Sequence, residues 1–334
     1  MARTHATIRD VAAAVGVSPA TVSRALARPE LVAAATAEKV RRAADELGYA
    51  PSPQARWLQS GRAQALTLVL PDITNPFFFD LIRGAQHEST RLGYTLTLVD
   101  SEESADQELH HLQVARRTSD GAVLGGSRLS DRQIVELSEH LPLVIVNRRV
   151  RTVPSVVIDT LPALRRVVQH LADLGHESIA YLGGPESAWF DGRRWKTVDA
   201  SADELGLRCT RLGWHPPTMS AGHDQTRAVA DSGATAVITY NDLQALGLMQ
   251  GLASIGVAVP DEISVVGCDD IFGAQLISPA LTTVSGPAED AGRLAIQALI
   301  TRVTGEHSRR VNQVVAAEPQ LRGSTGPARV TARA

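Results

Sequence analysis

The chain has 334 residues, 44% of them hydrophobic and 4% aromatic, and a formal net charge of −3. This length is too great for one compact domain and predicts two or three, while two cysteines, Cys209 and Cys268, are too few for a disulfide framework and lack metal-ligand spacing. The N-terminal MARTHATIRD has no signal-peptide core and no apolar run approaches the roughly 18 residues of a membrane span, so we expect a soluble, cytoplasmic protein without membrane partners.

The first predicted elements are two short helices in residues 7–26, TIRDVAAAVGVSPATVSRAL, separated at Gly16. Apolar residues recur at helical spacing in both. Ser18 is a good N-cap, Pro19 suits the first position of the second helix, and glycine tolerates the positive φ that ends the first. Two amphipathic helices joined by a tight turn predict an all-α helix-turn-helix headpiece, whose second helix would lie in the major groove of DNA.

The outward side of the second helix would carry the residues that meet DNA, because Thr21, Ser23 and Arg24 can donate hydrogen bonds to phosphates or base edges. The candidate DNA-binding residues of the head are Thr7, Ser18, Pro19, Ala20, Thr21, Ser23 and Arg24. Residues 1–62 carry a net charge of +4 against −7 for the remainder, as suits a chain whose head alone meets a polyanion. On spacing alone, an ordinary helical hairpin is the alternative.

Residues 33–47 predict a third helix that ends at Gly48, with its apolar residues, Leu47 among them, directed inward. A linker, APSPQARWLQSGR, follows at 50–62. Its two prolines favour an extended start, whereas residues 54–59 can form a short helix.

From residue 65 onward, apolar runs alternate with amphipathic segments. Strands are predicted at 66–72, 94–100, 121–126 and 141–147, with helices at 77–92, 106–117 and 131–140. A second set has strands at 178–184, 234–242, 263–270, 280–284 and 311–317, and helices at 164–174, after 242 as far as 255, and at 290–302. Continuous runs of Val, Leu and Ile are typical of buried parallel strands, so the pattern predicts two doubly wound α/β lobes with a cleft between them.

Polar residues follow several of these strands, and ligands of open α/β sheets bind at the carboxyl ends of the strands. Amide, carboxylate and guanidinium groups beside aromatic faces suit a sugar or nucleoside, because each ligand hydroxyl both donates and accepts while ring faces stack. The candidate effector-binding residues are Asp72, Asn75, Phe77, Phe78, Ser127, Asn147, Trp189, Arg194, Asn241 and Asp269. The alternative is that Asx residues after strands form turns or cap helices, and Asn241 begins a predicted helix.

The order of residues is more specific than their spacing. TIRDVAAAVGVSPATVSRAL at 7–26, followed by EKVRRAADELGYAPS at 38–52, closely resembles the headpiece of the LacI (lactose repressor)/GalR family of bacterial transcription regulators. Further stretches stand in the family's order: NPFF at 75–78, LGH at 174–176, GGP at 183–185, YND at 240–242, ISVVGCDD at 263–270, LTTV at 281–284 and LRGST at 321–325. The resemblance implies a helix-turn-helix headpiece joined to a periplasmic-binding-protein-like core of two Rossmann-like lobes.

The resemblance also implies the domain organisation: headpiece 1–49, hinge 50–62 and effector-binding core 63–334, with lobe 1 at about 63–160 and 287–320 and lobe 2 at about 161–286. In the hinge, Leu58 stands where the family wedges a leucine between base pairs in the minor groove. Ala55 stands at the contact between two paired hinges. The alternative is a flexible linker whose Leu58 packs on the body.

By the same resemblance, Asn75, Phe77, Phe78 and Asn147 would contact the effector from lobe 1, and Arg194, Asn241 and Asp269 from lobe 2 or the crossovers. Three positions depart from the family. Ala33 replaces the usual Ser or Thr cap of the third helix, which should cost about 1 kcal/mol of local stability. Gly286 replaces a common Gln and Cys268 an aromatic residue, so we expect a wider pocket. The effector would be a sugar, a sugar derivative or a nucleoside, with no cofactor or metal.

The sequence has no HExxH, G-x-S-x-G, P-loop or dinucleotide-binding motif, so we do not expect an enzyme. The pair His110–His111 falls on a predicted surface helix and is interpreted as a solvated face. We expect a ligand-responsive repressor of carbohydrate or nucleoside metabolism genes that binds a pseudo-palindromic operator as a homodimer. The alternative is a solute-binding protein of the periplasmic type without a regulatory role, against which the basic head argues.

Overall fold

The computed structural model describes residues 6–49, 62–305 and 312–329. The chain divides into two compact units, residues 1–65 and residues 66–334. The first contains the predicted headpiece and linker, and the second contains nearly all of the predicted core. Ala55 and Leu58 lie outside the described residues, so the roles expected of them stay predictions.

The described part of the head consists of three helices packed against one another. They are α1 (Ile8–Val15), α2 (Pro19–Ala27) and α3 (Ala34–Leu47), with a 3-10 turn at Pro29–Leu31 before α3. Each helix contributes one valine without exposed surface to the core, namely Val11, Val22 and Val40. Half-buried Tyr49 packs against this cluster from the C-terminal side. The apolar spacing that predicted the helices thus forms the small core that holds them together.

The turn between α1 and α2 has the caps that the sequence predicts. Gly16 ends α1 with a φ of 72°, a conformation that glycine adopts at little cost, and the Oγ of Ser18 accepts from the backbone N–H of Thr21 at 3.1 Å. Ala33 precedes α3 without a side-chain cap. Leu47, expected inward, is instead 42% exposed, because it ends α3 beyond Ala44, the last buried residue of that helix.

Lobe 1 is built, in its described part, on a six-stranded sheet. Its strands are β1 (Ala65–Leu70), β2 (Thr95–Asp100), β3 (Gly121–Gly125), β4 (Leu143–Val146), β5 (Ser155–Asp159) and β11 (Asn312–Ala316), in the order β11-β5-β4-β3-β1-β2. Its helices are α4 (Phe77–Arg91), α5 (Ala105–Thr118), α6 (Asp131–Ser138) and α12 (Ala288–Thr304). β3 pairs in parallel with β1 and with β4, as buried apolar strands joined by helices do.

Lobe 2 is built on a four-stranded parallel sheet within the described residues. Its strands are β6 (Ser178–Gly183), β7 (Arg208–Trp214), β8 (Ala236–Thr239) and β9 (Ser264–Val266), in the order β7-β6-β8-β9. Its helices are α7 (Leu161–Asp173), α8 (Trp189–Glu204), α9 (Met219–Asp224), α10 (Thr226–Ala230) and α11 (Asp242–Ser254). The two-lobe α/β fold class is as predicted.

The chain crosses between the lobes more than once, and a small antiparallel ladder lies at these crossings. It pairs β10 (Thr283–Ser285) with β12 (Glu318–Gln320). After β12, the chain returns to lobe 2, where the carbonyl of Ser324 accepts from the backbone N–H of Val265 at 2.8 Å. The Oγ of Ser324 accepts from the backbone N–H of Thr282 at 2.7 Å. Lobe 2 therefore includes residues after 320, which the sequence-based division assigned to neither lobe.

Among the α-helices and strands of the described residues, six were not predicted, namely β5, α8, β7, α9, α10 and β12. β5 has only five residues and follows directly on Pro154. α8 contains Gly192 and charged residues on several sides, so its apolar residues form no clear stripe. β7 is half-exposed and interrupted by Arg211, so it lacks the continuous apolar run that marks the other parallel strands.

Candidate functional site

The head places its candidate DNA-binding residues around the start of α2. Of the described residues predicted to contact DNA, five are exposed: Thr7, Ser18, Pro19, Ala20 and Arg24. The other two, Thr21 and Ser23, are half-buried rather than fully outward, because they flank Val22, which has no exposed surface.

Two of the exposed hydroxyls already serve local structure. The hydroxyl of Thr7 donates to Asp10 at 2.7 Å and the Thr7 backbone N–H donates to the same carboxylate, which lowers the pKa of Asp10. Ser18 caps α2 and lies 2.9 Å from the Thr21 hydroxyl. Arg24 uses its Nε on the carbonyl of Ala20 at 3.3 Å, on its own helix. Arg24 is the cationic side chain of α2, and its two terminal nitrogens can still donate to a phosphate or a base.

In the core unit, a cleft of about 620 Å³, counting its open mouth, lies between the two lobes. Nine of the ten candidate effector-binding residues line it, namely Asn75, Phe77, Phe78, Ser127, Asn147, Trp189, Arg194, Asn241 and Asp269. Its wall is made largely by residues that directly follow strands of both sheets, from Pro71 after β1 to Asp269 after β9. The space inside it that water-sized molecules can occupy is only about 60 Å³, so the side chains of the two walls lie close together.

Asp72 is the exception, and its assignment to the cleft was wrong. Its Oδ1 accepts from the backbone N–H of Thr74 at 2.8 Å and from the Thr74 hydroxyl at 2.5 Å. The side chain thus closes an Asx turn after β1 and is absent from the cleft wall.

Several lining amides combine a structural bond with their place in the wall. Asn241 caps α11 by accepting from the backbone N–H of Gln244 at 3.0 Å, and it donates to the carbonyl of Pro217 at 2.9 Å. Asn75 accepts from the backbone N–H of Phe77 at 3.0 Å. Asn147, at a φ of 60°, accepts from the backbone N–H of Ile158 at 3.0 Å. The cap interpretation of Asn241 and its position in the cleft are therefore both correct.

Arg194 is the buried cation of lobe 2 in this wall, 8% exposed. α8 carries it into the cleft, where its Nη1 donates to the carbonyl of Tyr240 at 2.6 Å and its Nε contacts the Thr160 hydroxyl at 3.4 Å. Burial opposes its charge, but neighbouring acidic groups, foremost Cys268, outweigh that effect and raise the pKa of Arg194 above its ordinary value.

Asp269 faces the cleft from the turn after β9. Its φ is 145°, a backbone conformation that is unusual for a residue with a side chain. Burial in the cleft raises the pKa of Asp269 well above its ordinary value, while nearby Arg194 acts in the opposite direction. A guanidinium and a carboxyl group side by side can donate to and accept from adjacent hydroxyls of one ligand.

Sequence reasoning missed several residues of the wall, among them Glu103, Arg128, Arg148 and Tyr240. Arg128, 6% exposed at its side chain, pairs with Glu103 at 2.6 Å. Arg148 pairs with Asp131 at 2.6 Å. All four residues follow a strand of their lobe by one to three positions. They would have been found if the rule that ligands bind at the carboxyl ends of strands had been applied to charged and aromatic side chains as well as to Asx residues.

The first turn of α8, which carries Trp189 into the cleft, is held by a buried ion pair. Asp191, 1% exposed, accepts from the Tyr181 hydroxyl at 3.0 Å and from the backbone N–H of Gly184 at 2.8 Å. The guanidinium of Arg211 pairs with the other oxygen of the same carboxylate. A carboxylate with three donors orients the loop after β6, and with it the aromatic part of the wall.

Gly286 and Cys268, which suggested a wider pocket, do not line the cleft, and the expectation of a wider pocket stays a prediction. A Cβ at Gly286 would lie 2.2 Å from Cγ2 of Ile158, so the glycine allows close packing at the crossing between lobes. Cys268 has no exposed surface, and burial raises the pKa of its thiol to about 12. It belongs to the core behind the cleft.

The histidines and acidic residues of the described chain form no group of three or more that could hold a metal ion. His110 and His111 lie on α5 with ring centroids 5.6 Å apart, His110 exposed and His111 half-buried. No helix within the described ranges is both long enough and apolar enough to span a bilayer.

Comparison with known proteins gives matches for both units. Residues 7–52 match the family described as bacterial regulatory proteins, lacI family, and residues 168–325 match the periplasmic binding protein-like domain. The chain is 32% identical to the HTH-type transcriptional repressor CytR of Escherichia coli over 330 residues, which covers 96% of this chain and 97% of that protein. It is 33% identical to the HTH-type transcriptional repressor PurR of Photobacterium profundum over 319 residues, covering 92% and 95%.

Solved structures with the same fold cover both units. The transcriptional regulator CelR in complex with cellobiose matches with a TM-score of 0.71 and 26% identity, over 96% of this chain and 99% of that one. The Lac repressor bound to ONPG in its repressed state matches with a TM-score of 0.82 and 25% identity, over 96% and 100%.

Proposed function

Because this chain belongs to the lacI family of bacterial regulatory proteins, we infer that it is a ligand-responsive transcriptional repressor. Its head binds operator DNA through α2, and its core binds the small molecule that controls this binding. The family's members are transcriptional regulators and not enzymes, and we propose no catalytic step for this chain. Since its target is chromosomal DNA, we propose that it acts in the cytoplasm.

One observation carries the ligand part of the proposal. Nine residues that sequence reasoning selected from separate parts of the chain meet in a single cleft between two lobes. They supply amides, a guanidinium and a carboxyl group beside the aromatic faces of Phe77, Phe78 and Trp189. This chemistry fits a sugar, a sugar derivative or a nucleoside, whose hydroxyls need both donors and acceptors and whose rings present apolar faces. We propose an effector of that class, with no cofactor or metal.

The control would operate through the relative position of the lobes. A ligand that contacts both walls binds a closed cleft better than an open one, and it can shift operator affinity only by that difference. Lobe 1 begins at β1, directly after the linker, so a change in lobe 1 reaches the linker through a short stretch of chain. We propose a homodimer, since two heads are needed to read a pseudo-palindromic operator.

Two measurements test this function. The first is a gel shift with genomic fragments from around the gene, with and without candidate sugars and nucleosides. The expected result is a fragment bound far more tightly than random duplex at physiological salt and affected by one of the compounds. A protein that binds such a compound but shows no preference for any duplex would instead be a solute-binding protein without a regulatory role.

The second measurement is a thermal-shift screen of sugars, sugar phosphates and nucleosides. A ligand that binds the folded state raises the unfolding midpoint, by an amount that grows with its concentration relative to Kd. The compounds that raise the midpoint are then tested in the gel shift.

A further inference from the structure

We propose that the cleft selects uncharged ligands over their phosphate esters, and that Glu103 sets this selection by neutralising Arg128. The inference rests on the proposed function, because it specifies the class of effector that the cleft takes. It depends on how the charged side chains of the wall are paired.

The described residues that line the cleft include three guanidiniums and two carboxyl groups, namely Arg128, Arg148, Arg194, Glu103 and Asp269. Three cations would ordinarily indicate a site for an anionic ligand such as a phosphate. Here, however, each guanidinium already has partners within the protein.

Arg128 is the most completely engaged of the three. Its Nε donates to Oε2 of Glu103 at 2.6 Å and its Nη1 to the carbonyl of Gly126 at 2.9 Å. Tyr240, which comes from the opposite lobe, lines the same cleft. With 6% of its side chain exposed, Arg128 keeps little surface for a ligand anion while Glu103 is in place.

The position of Glu103 is set by its backbone. Glu102 and Glu103 have φ values of 51° and 58°, a conformation that few residues with side chains adopt. Hydrogen bonds hold both residues there: the Glu103 backbone N–H donates to the carbonyl of Pro71 at 2.6 Å, and that of Glu102 donates to Asp100 at 2.9 Å. The carboxylate is thus fixed beside Arg128, with 29% of its side chain exposed on the cleft side.

The other two guanidiniums are engaged less completely: the buried Nε of Arg148 has no hydrogen-bond partner, and Arg194 is bonded to uncharged groups. Arg148, 7% exposed, donates to the carbonyl of Ser127 at 3.1 Å and to Asp131 at 2.6 Å. Arg194 donates to the Tyr240 carbonyl and lies close enough to Asp269 for their charges to interact. A further carboxyl group, that of Glu108, lies behind the floor and accepts from the backbone N–H of Arg128 at 2.8 Å.

A phosphate ester entering this cleft would approach the carboxylate of Glu103 and would have to displace a partner from the buried guanidinium of Arg128 or Arg148. Separating a buried ion pair leaves a charge uncompensated, which is strongly unfavourable. An uncharged hydroxyl can instead donate to a carboxylate and accept from a guanidinium without breaking either pair. The wall therefore favours the free sugar or nucleoside.

The test uses matched pairs of compounds with the full-length protein: ribose and ribose 5-phosphate, glucose and glucose 6-phosphate, adenosine and adenosine 5′-phosphate. Isothermal titration calorimetry gives Kd for each. For at least one pair, we expect the uncharged member to bind at least about tenfold more tightly. In Glu103→Gln, we expect that ratio to fall at least about fivefold, because Arg128 becomes available to the phosphate.

Two control variants are needed. One keeps the charge of Glu103 but changes its length, and the other removes a carboxylate from an ion pair outside the cleft. Glu103→Asp keeps the charge and should preserve the discrimination. Glu136→Gln makes the same chemical change in the exposed Arg132–Glu136 pair on α6, with a distance of 2.8 Å, and should leave every Kd unchanged. The unfolding midpoint without ligand shows whether each variant is folded. If Glu103→Gln is not folded, the inference is judged from the ratio of the two Kd values, phosphate ester to uncharged compound, in the wild type and in Glu103→Asp.

Three outcomes would contradict the inference. If the phosphate ester binds as tightly as its uncharged partner or more tightly, charge selection is wrong while the proposed function stands. If folded Glu103→Gln keeps the wild-type ratio, or Glu103→Asp loses it, Glu103 is not the determinant. If no sugar, nucleoside or ester binds, the effector class of the proposed function is wrong as well.

Discussion

The guanidinium of Arg194 holds Tyr240 in two ways: its Nη1 donates to the Tyr240 carbonyl at 2.6 Å, and its Cζ lies 5.0 Å from the centroid of the Tyr240 ring. Arg194 and Tyr240 line the cleft together, and Arg128 of lobe 1 is also in its wall. A ligand that contacts Arg194 therefore acts on the residue that holds Tyr240 in place.

Arg194→Ala should abolish the response to effector while leaving DNA binding by the effector-free protein intact. The substitution removes a charged donor from the cleft, so we expect effector affinity to fall roughly 10- to 100-fold. Calorimetry with the effector and a gel shift without it measure the two effects separately. Lys196→Ala, at an exposed position of the same helix, is the matched control. An Arg194→Ala protein with a normal effector response would remove Arg194 from the site.

Arg24→Ala should weaken operator binding roughly 10- to 100-fold, as the loss of one base or phosphate contact does. Fluorescence anisotropy at several salt concentrations distinguishes the two kinds of contact, because loss of a phosphate contact lowers the salt dependence by about one ion. Arg41→Ala is the control, since Arg41 lies on α3 and pairs with Glu38 at 2.8 Å. Equal losses in the two variants would show that α2 does not read the operator.

Gly184→Ala should impair effector binding with little effect on operator binding. A Cβ at this position would lie 2.3 Å from the Tyr240 ring, so the ring must move from its place against Arg194. We expect a lower unfolding midpoint, by a few degrees, together with weaker effector binding. Gly192→Ala is the control, because a Cβ there meets no atom within 4 Å. If Gly184→Ala binds effector like the wild type, the position of the Tyr240 ring does not matter for the ligand.

His176 should make the folded state less stable as the pH falls. It is 2% exposed and bonded to the Thr235 hydroxyl at 2.7 Å and the Gly326 carbonyl at 3.2 Å. Burial lowers the pKa of His176 below the ordinary value of 6.5. The unfolded chain therefore binds the proton more readily, so the stability from neutral His176 is present above about pH 6.5 and is lost as the pH falls below it.

Urea unfolding at pH 7.5 and pH 5.5 tests this expectation. Other buried groups also contribute to the pH dependence; burial raises the pKa of Asp242 to about 7, for example, which acts with the opposite sign. The informative quantity is therefore the difference between wild type and His176→Gln. We expect the variant to lose less stability on acidification than the wild type, whereas His140→Gln, at an exposed position on the loop after α6, should behave like the wild type. Identical pH dependence in His176→Gln would contradict the prediction.

The sequence by itself determined the helix caps, the turns and most of the helices and strands, because these depend on residues only a few positions apart. Gly16 and Ser18 revealed the turn between α1 and α2, because caps involve atoms at most four residues away. Apolar periodicity located most strands and helices. The rule that ligands meet the carboxyl ends of strands selected five of the nine residues that line one cleft, and side-chain chemistry with the family resemblance added the other four. Where local chemistry had two outcomes, as at Asp72, only the observed turn with Thr74 decided between them.

The tertiary structure alone decided which of these residues face one another. Arg194 meets Tyr240 from 46 positions away, and Arg128 meets Glu103 from 25. Such pairs depend on the order of strands within each sheet and on the approach of one lobe to the other, and neither is encoded in the composition of any single strand. The pairing also neutralises two of the three guanidiniums of the wall, because Arg128 and Arg148 meet Glu103 and Asp131, which the sequence does not reveal.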